Sequence, residues 1–228
     1  MSDPLYDADL IKFLQSFVTE ARREKIERVL AARTDRVRVV VEDLYQPHNA
    51  SAVMRSCECF GVQNMHIIEN RNTFAPNNEI SLGSAQWLSL HRHREKDADN
   101  TRQCLTDLKK QGFTIVATAL REDSIELDDV PTDQPVALLF GTEAEGLSET
   151  ALELADKTMR IPMFGFTQSF NISVSAAICL SSLVNRVRKE RDDWALDEAT
   201  LQRLRSDWIR KSLKTPEALI RRYEEDNA

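Results

Sequence analysis

Three short segments combine polar side chains with glycine or proline in spacings that could serve catalysis or ligand binding. The first contains Asn49 and Arg55, which follow a β-branched run and Pro47. Near the start of a helix, an amide and a guanidinium suit a bound anion, because helix N-termini and arginine both attract negative charge. The alternative is that Asn49 merely caps the helix and Arg55 is a surface residue.

The second segment runs from Gly141 through Glu143 and Gly146 to Ser148, directly after an apolar stretch. A glycine at the end of a buried strand lets a ligand approach the backbone closely. The segment has neither the G-x-G-x-x-G pattern nor a Walker lysine, which disfavours a classical dinucleotide or ATP site. A plain turn between a strand and a helix is the alternative.

The third segment runs from Ile161-Pro-Met to Ser169-Phe170-Asn171 and into a long predicted helix. Ser169 and Asn171 are both good helix caps, although one would suffice. Small residues follow at Ser173, Ala176 and Ala177. These residues permit close helix packing.

Alternating strands and helices must position these segments. Strands are predicted at 37–41, 65–68, 86–92, 113–118, 136–140 and 159–163. Helices are predicted at 7–33, from Asn49 to about residue 60, and at 97–111, 148–156, 171–189 and 197–212. A break near residues 19–23 is an alternative to one long first helix. The pattern predicts an α/β fold with a mostly parallel sheet and helices on both faces.

The chain is expected to have one α/β body between two helical extensions. The N-terminal extension covers residues 1–35, the body 36–190, and the C-terminal extension 191–228. The net charge is −7, but residues 22–38 carry seven basic and three acidic side chains, and residues 186–222 carry eleven and seven. Each of these segments is therefore +4, and two such patches could hold a phosphate backbone. Solvated, ion-paired helix faces are the alternative.

These segments supply eight candidate RNA contacts: Arg22, Arg23, Lys25, Arg28, Arg203, Arg210, Lys211 and Lys214. No metal site is expected. The four cysteines lack a C-x-x-C pair, and His91 and His93 have no ligand partner nearby in sequence. Without a long apolar run or a secretory pattern, we expect a cytoplasmic protein that does not enter a membrane.

Taken together, the three segments resemble the motifs of the SpoU/TrmH family, the SpoU branch of the SPOUT RNA methyltransferases. Asn49 and Arg55 match the first motif, the stretch from Gly141 to Ser148 the second, and the stretch from Ile161 to Val174 the third. Phe170 departs from the leucine that is usual in the family. The terminal helices are similar to those of the tRNA (guanosine-18) 2′-O-methyltransferase subgroup.

The resemblance implies a deep C-terminal trefoil knot, S-adenosylmethionine as cofactor, tRNA as substrate and a homodimer. We expect the small-residue face of the helix that begins at Asn171 to form part of the dimer interface. The resemblance also implies a cofactor pocket lined by Thr118, Gly141, Ile161 and Phe170. It assigns Arg55 to activation of a ribose 2′-hydroxyl and Asn49 to orienting either Arg55 or an RNA phosphate. Glu143 would fix either the loop or Asn49, and Ser169 and Asn171 would place the ribose and the methionine portion of the cofactor. Two alternatives remain open: a 23S ribosomal-RNA methyltransferase of the same family, and an RNA-binding relative that is catalytically silent.

Overall fold

The structure, a computed structural model, describes residues 7–75, 77 and 83–227. These residues form two compact units. One unit comprises residues 34–194, and the other combines the described residues up to 33 with those from 195 onward. In the described part of the chain, no helix is long and apolar enough to cross a membrane.

The larger unit contains a seven-stranded sheet. Its strands are β1 (Val37–Glu42), β2 (Asn64–Ile68), β3 (Ser89–His93), β4 (Thr114–Thr118), β5 (Ile125–Glu126), β6 (Val136–Phe140) and β7 (Lys157–Arg160). The strand order is β3-β2-β1-β6-β4-β7-β5, and every neighbouring pair is parallel. The predicted α/β fold with a parallel sheet is therefore confirmed.

The helices are α1 (Ala8–Gln15), α2 (Glu20–Leu30), α3 (Pro47–Phe60), α4 (Asn100–Lys110), α5 (Glu149–Leu154), α6 (Ile172–Glu190), α7 (Glu198–Lys211) and α8 (Pro216–Asp226). The helices of the larger unit pack on both faces of the sheet. Val39 on β1 joins a core cluster with α3 and α6, whereas its neighbour Val40 joins one with α4 and α5. Since both faces are buried, the central strands do not alternate: β6 is apolar at every position, and β1 departs from this only at Arg38 and Glu42.

The smaller unit consists of helices from the two ends of the chain. Within it, Arg205 on α7 makes two hydrogen bonds to the carboxylate of Glu27 on α2, at 2.7 and 3.0 Å. The guanidinium of Arg33, which is buried, lies 5.2 Å from the centre of the Trp208 ring. The first helical stretch is divided into α1 and α2 by residues 16–19, and α8 was not predicted.

Several predicted boundaries were wrong. Asn49 does not cap α3, because the helix already begins at Pro47 and Asn49 lies inside its first turn. Proline suits this position because the first helical N–H needs no partner within the helix. The last strand ends at Arg160 and does not reach residue 163. Residues 84–87 form a 3-10 turn, so the strand predicted at 86–92 begins only at Ser89.

Candidate active site

A cavity of about 410 Å³ lies where β4, β6 and β7 end. Its walls include Thr118, Gly141, Ile161 and Phe170, so all four predicted cofactor-binding residues line one pocket. The carboxyl ends of parallel strands are the usual ligand site in open α/β sheets. The volume falls in the range of sites for small organic ligands, roughly 300–1,000 Å³.

The loop from Gly141 to Ser148 forms one wall and closes on itself. The N–H of Thr142 donates to the Gly146 carbonyl at 2.9 Å, and the N–H of Gly146 donates back at 3.0 Å. A Cβ atom on Gly141 would lie 2.2 Å from that same carbonyl oxygen. Gly141 was interpreted as making room for a ligand, but this turn requires glycine by itself.

Glu42, which the sequence interpretation missed, holds the far end of this loop. Its carboxylate is almost fully buried at the end of β1 and accepts hydrogen bonds from the N–H and hydroxyl of Ser148, at 2.9 and 2.7 Å. The hydroxyl of Thr101 donates to it at 2.5 Å. The available signal was an acidic residue directly after the apolar run Val39–Val41.

Asn171 joins the three sequence motifs. Its amide nitrogen donates to Oδ1 of Asn49 at 3.1 Å and to Oε1 of Glu143 at 2.5 Å. Its own Oδ1 accepts from the N–H of Ser173 at 2.9 Å, which caps α6 as predicted. The nitrogen of Asn49 donates to Gln46 at 3.1 Å. One polar cluster therefore fixes the starts of α3 and α6 and the loop after β6.

The remaining predicted catalytic residues lie in different places. Ser169 lines the cavity, whereas Arg55 is exposed on α3 and does not line it. Among the described residues, Arg55 has no hydrogen bond or ion pair. The cavity wall is braced by Arg71, which donates to Glu145 at 2.6 Å and to Asp43 at 3.4 Å. The hydrogen bond to Glu145, followed by that to Asp43, raises the pKa of Arg71 above the ordinary value.

The eight predicted RNA-binding residues all belong to the smaller unit. Arg23, Lys25 and Arg28 on α2 are exposed, as are Arg203, Lys211 and Lys214. Arg22 and Arg210 are only half-exposed. Arg22 donates to the Ser212 hydroxyl at 3.2 Å, and Arg210 pairs with Asp207.

Part of the basic charge in the two segments is structural. Arg36 forms an ion pair with Asp193 at 2.6 Å, and Arg38 pairs with Asp35 at 2.7 Å. Arg33 is buried against Trp208. Charge counting along the sequence therefore overestimated how many cations are available to a polyanion.

The chain matches a known protein family and is similar to several known proteins. The model of the SpoU rRNA Methylase family matches residues 36–181. The chain is 40% identical to the tRNA (guanosine(18)-2′-O)-methyltransferase of Borreliella burgdorferi, over 91% of this chain and 94% of that protein. It is also 40% identical to the enzyme of the same name from Thermus thermophilus, over 85% and 98%.

A solved structure shows a similar fold. The crystal structure of the A. aeolicus TrmH/SpoU tRNA modifying enzyme superposes with a TM-score of 0.75 at 31% identity, covering 85% of this chain and 98% of that one. The similarity therefore extends beyond residues 36–181.

Proposed function

The chain belongs to the SpoU rRNA Methylase family, and from this membership we propose that it is a tRNA 2′-O-methyltransferase acting on guanosine 18. The observation that carries the proposal is Asn171, which hydrogen bonds to both Asn49 and Glu143 and so joins all three motifs beside the cavity that Glu143 lines. The curated relatives that are 40% identical over nearly their whole length support tRNA as the substrate.

S-adenosylmethionine fits the cavity by size and by chemistry. The walls are apolar at Ile161, Leu147 and Phe170, which suits an adenine ring, and polar at Thr118 and Ser169. Backbone groups at the ends of β4 and β6 can bind the adenine edge and the ribose. When bound, the cofactor supplies an electrophilic methyl group on sulfur.

The chain's own residues then have to place the ribose and polarise its 2′-hydroxyl. Arg55 is the candidate for the second task. An arginine is protonated at neutral pH and cannot itself remove a proton. We infer that its guanidinium, paired with a neighbouring RNA phosphate, polarises the hydroxyl, whose proton passes to solvent as the oxygen attacks the methyl carbon. Ser169 holds the substrate at the cavity, while Asn49, Glu143 and Asn171 keep the surrounding helices and loop in place.

The position of Arg55 favours a shared active site in a homodimer. Arg55 is exposed and does not line its own chain's cavity. In a symmetric dimer it can serve the partner's cavity, because the same surfaces meet on both subunits. Phe164 and Phe166 are fully exposed beside the cavity, and burial of such side chains would stabilise the dimer.

The prediction that the small-residue face of α6 forms this dimer was wrong in one respect. Ala176 is fully buried in the chain's own core, where α6 packs with α3. The exposed side of α6 instead carries Val174, Ser181 and Asn185. We place the dimer contact on that side.

Two further features belong to the proposal. The trefoil knot is supported by the similarity to the A. aeolicus structure. A cytoplasmic location is supported by the tRNA-modifying relatives and by four cysteines that form no disulfide.

A methylation assay with separate RNA substrates tests the function. Purified protein and S-adenosylmethionine are incubated with unmodified tRNA, with 23S ribosomal RNA or without RNA, and digested nucleosides are identified by mass spectrometry. We expect 2′-O-methylguanosine from tRNA only. Product from ribosomal RNA alone would support the other family activity, and binding without any product would indicate a silent relative.

A further inference from the structure

Three side chains that the proposed methyl transfer does not use meet at one edge of the sheet. His66 lies on β2, His93 on the edge strand β3, and Cys104 on α4. One ring nitrogen of each histidine and the sulfur of Cys104 all lie within 4.8 Å of one another. The closest pair, Nδ1 of His66 and Nε2 of His93, is separated by 3.1 Å. None of the three lines the cavity.

The fold explains why residues so distant in sequence meet. In the parallel register, His66 is opposite His91 and Ile68 is opposite His93, so the three histidines share one face of the sheet. Helix α4 covers that face and places Cys104 over it. The expectation that His91 and His93 lack a ligand partner considered sequence neighbours only. This expectation was wrong for His93, because the fold brings Cys104 on α4 close to it.

We propose that His66, His93 and Cys104 bind a divalent transition-metal ion of the zinc class. Imidazole nitrogen and thiolate sulfur are the donors that zinc prefers, at about 2.0–2.1 and 2.3 Å. Tetrahedral geometry at those lengths separates ligand atoms by roughly 3.3–3.8 Å. The pair at 3.1 Å nearly meets this requirement already. Small side-chain rotations bring in the third ligand, and water fills the fourth position beside the half-exposed His93.

The environment of His66 is a second, independent observation. The residue is 5% exposed, and its Nε2 has no hydrogen-bond partner among the described residues. Buried polar atoms are nearly always paired with protein, water or an ion. Among the residues that the structure describes, the Nδ1 of His66 has a single polar partner, the His93 nitrogen that would share the ion, so this buried imidazole makes only one polar contact in the absence of metal.

The surrounding charges are compatible with a cation. Arg38 is a positive group close enough to act on His66, and it donates two hydrogen bonds to Asp35, at 2.8 and 2.7 Å. Its guanidinium also lies 4.2 Å from the centre of the Phe113 ring. Asp107, one helical turn after Cys104, places a negative charge close to both His93 and Cys104. A bound cation would thus be balanced by a thiolate and, in part, by this carboxylate, which also pairs with Lys110 at 3.0 Å.

An ion at this position would join the edge strand β3 to β2 and α4. Edge strands have one unpaired side and are the weakest part of a sheet. Binding to the folded state alone raises the melting temperature in proportion to the logarithm of the free ion concentration. The site would therefore contribute to stability and not to methyl transfer.

Titration of the metal-free full-length protein with Co²⁺ tests the proposal. Cobalt replaces zinc in such sites and reports a thiolate ligand through a charge-transfer absorption band. We expect one ion per chain, a thiolate band, and a higher melting temperature with Zn²⁺. His93→Gln and Cys104→Ser should each weaken binding at least about tenfold, since even the outer partners of metal ligands contribute that much.

Matched variants control for adventitious binding and for misfolding. His48→Gln and Cys59→Ser remove an exposed histidine and an exposed cysteine elsewhere and should bind Co²⁺ as the wild type does. His93 is only half-buried, so its variant should keep the wild-type circular dichroism spectrum. Absence of stoichiometric binding by the wild type would overturn the proposal. So would full binding by either the His93 or the Cys104 variant.

Discussion

The amide nitrogen of Asn171 lies 2.5 Å from Oε1 of Glu143, which ties the start of α6 to the loop after β6. Asn171→Asp keeps the helix cap, because aspartate caps as well as asparagine, but it removes the donor and places two carboxylates together. A hydrogen bond to a charged group contributes about 1.5–3 kcal/mol, so we expect at least a tenfold lower kcat.

The double variant Asn171→Asp/Glu143→Gln provides the control. The glutamine amide can donate to the new carboxylate and so restores the contact with reversed polarity. Part of the lost kcat should return, as measured by single-turnover methylation. If the double variant is no more active than Asn171→Asp, the contact does not position the site.

Gly141→Ala should abolish cofactor binding, although the substitution removes no group that could bind the cofactor. The added Cβ would lie 2.2 Å from the Gly146 carbonyl oxygen, a contact with backbone that only a shift of the loop can relieve. Isothermal titration with S-adenosylmethionine measures the effect. Gly165→Ala is the matched control, because a Cβ there would contact nothing within 4 Å. Equal affinities for the two variants would contradict the argument.

Arg55→Ala should lower turnover by about 10²–10⁴-fold, the usual contribution of a group that assists proton transfer. Because the side chain is exposed, the melting temperature should stay within a degree or two of the wild type, as surface changes are small. Arg102→Ala, an exposed arginine on α4, is the control and should retain activity. Turnover above about a tenth of wild type for Arg55→Ala would remove it from the mechanism.

Mixing two inactive variants tests whether Arg55 acts across the dimer. Subunits with Arg55→Ala keep the cavity, and subunits with Gly141→Ala keep Arg55. If each site uses both subunits, random exchange should restore roughly a quarter of wild-type activity, since half of the dimers are mixed and each has one complete site. No recovery, with exchange verified by mass spectrometry, would place Arg55 in its own subunit's site.

Replacing Arg23, Lys25 and Arg28 by alanine should weaken tRNA binding and reduce its salt dependence. All three side chains are exposed on α2. Each lost phosphate contact should reduce the slope of log affinity against log salt by about 0.7–0.9. The control removes three cations on α4 (Arg102, Lys109 and Lys110), which changes the net charge equally. If both triple variants lose the same affinity, the effect comes from net charge and not from a binding surface.

Sequence patterns predicted most of the sheet because its central strands are largely apolar. Val136–Phe140 is a continuous apolar run and Val37–Val41 is interrupted only by Arg38, as is typical of buried parallel strands, and Gly61 ends α3 in the left-handed conformation. The pocket residues were predicted through the family resemblance. Periodicity alone would have given a capping role to Asn49, which instead accepts a hydrogen bond from Asn171.

Other features depend on contacts between distant parts of the chain, and no local pattern encodes these. Glu42 accepts a hydrogen bond from Ser148, 106 residues away. This role becomes visible only when the fold places β1 next to the loop after β6. The approach of Cys104 to His66 depends on the same kind of tertiary packing. The short strand β5 has two residues, too few for any periodicity to reveal it.

The most direct measurement of the central claim uses two tRNA transcripts that differ in one oxygen atom. One has guanosine at position 18, and the other has 2′-deoxyguanosine there. Purified protein with isotopically labelled S-adenosylmethionine should transfer one methyl group to the first transcript, recovered as 2′-O-methylguanosine, and none to the second. Equal labelling of both transcripts, or label on a base, would contradict the proposed 2′-O-methylation of guanosine 18.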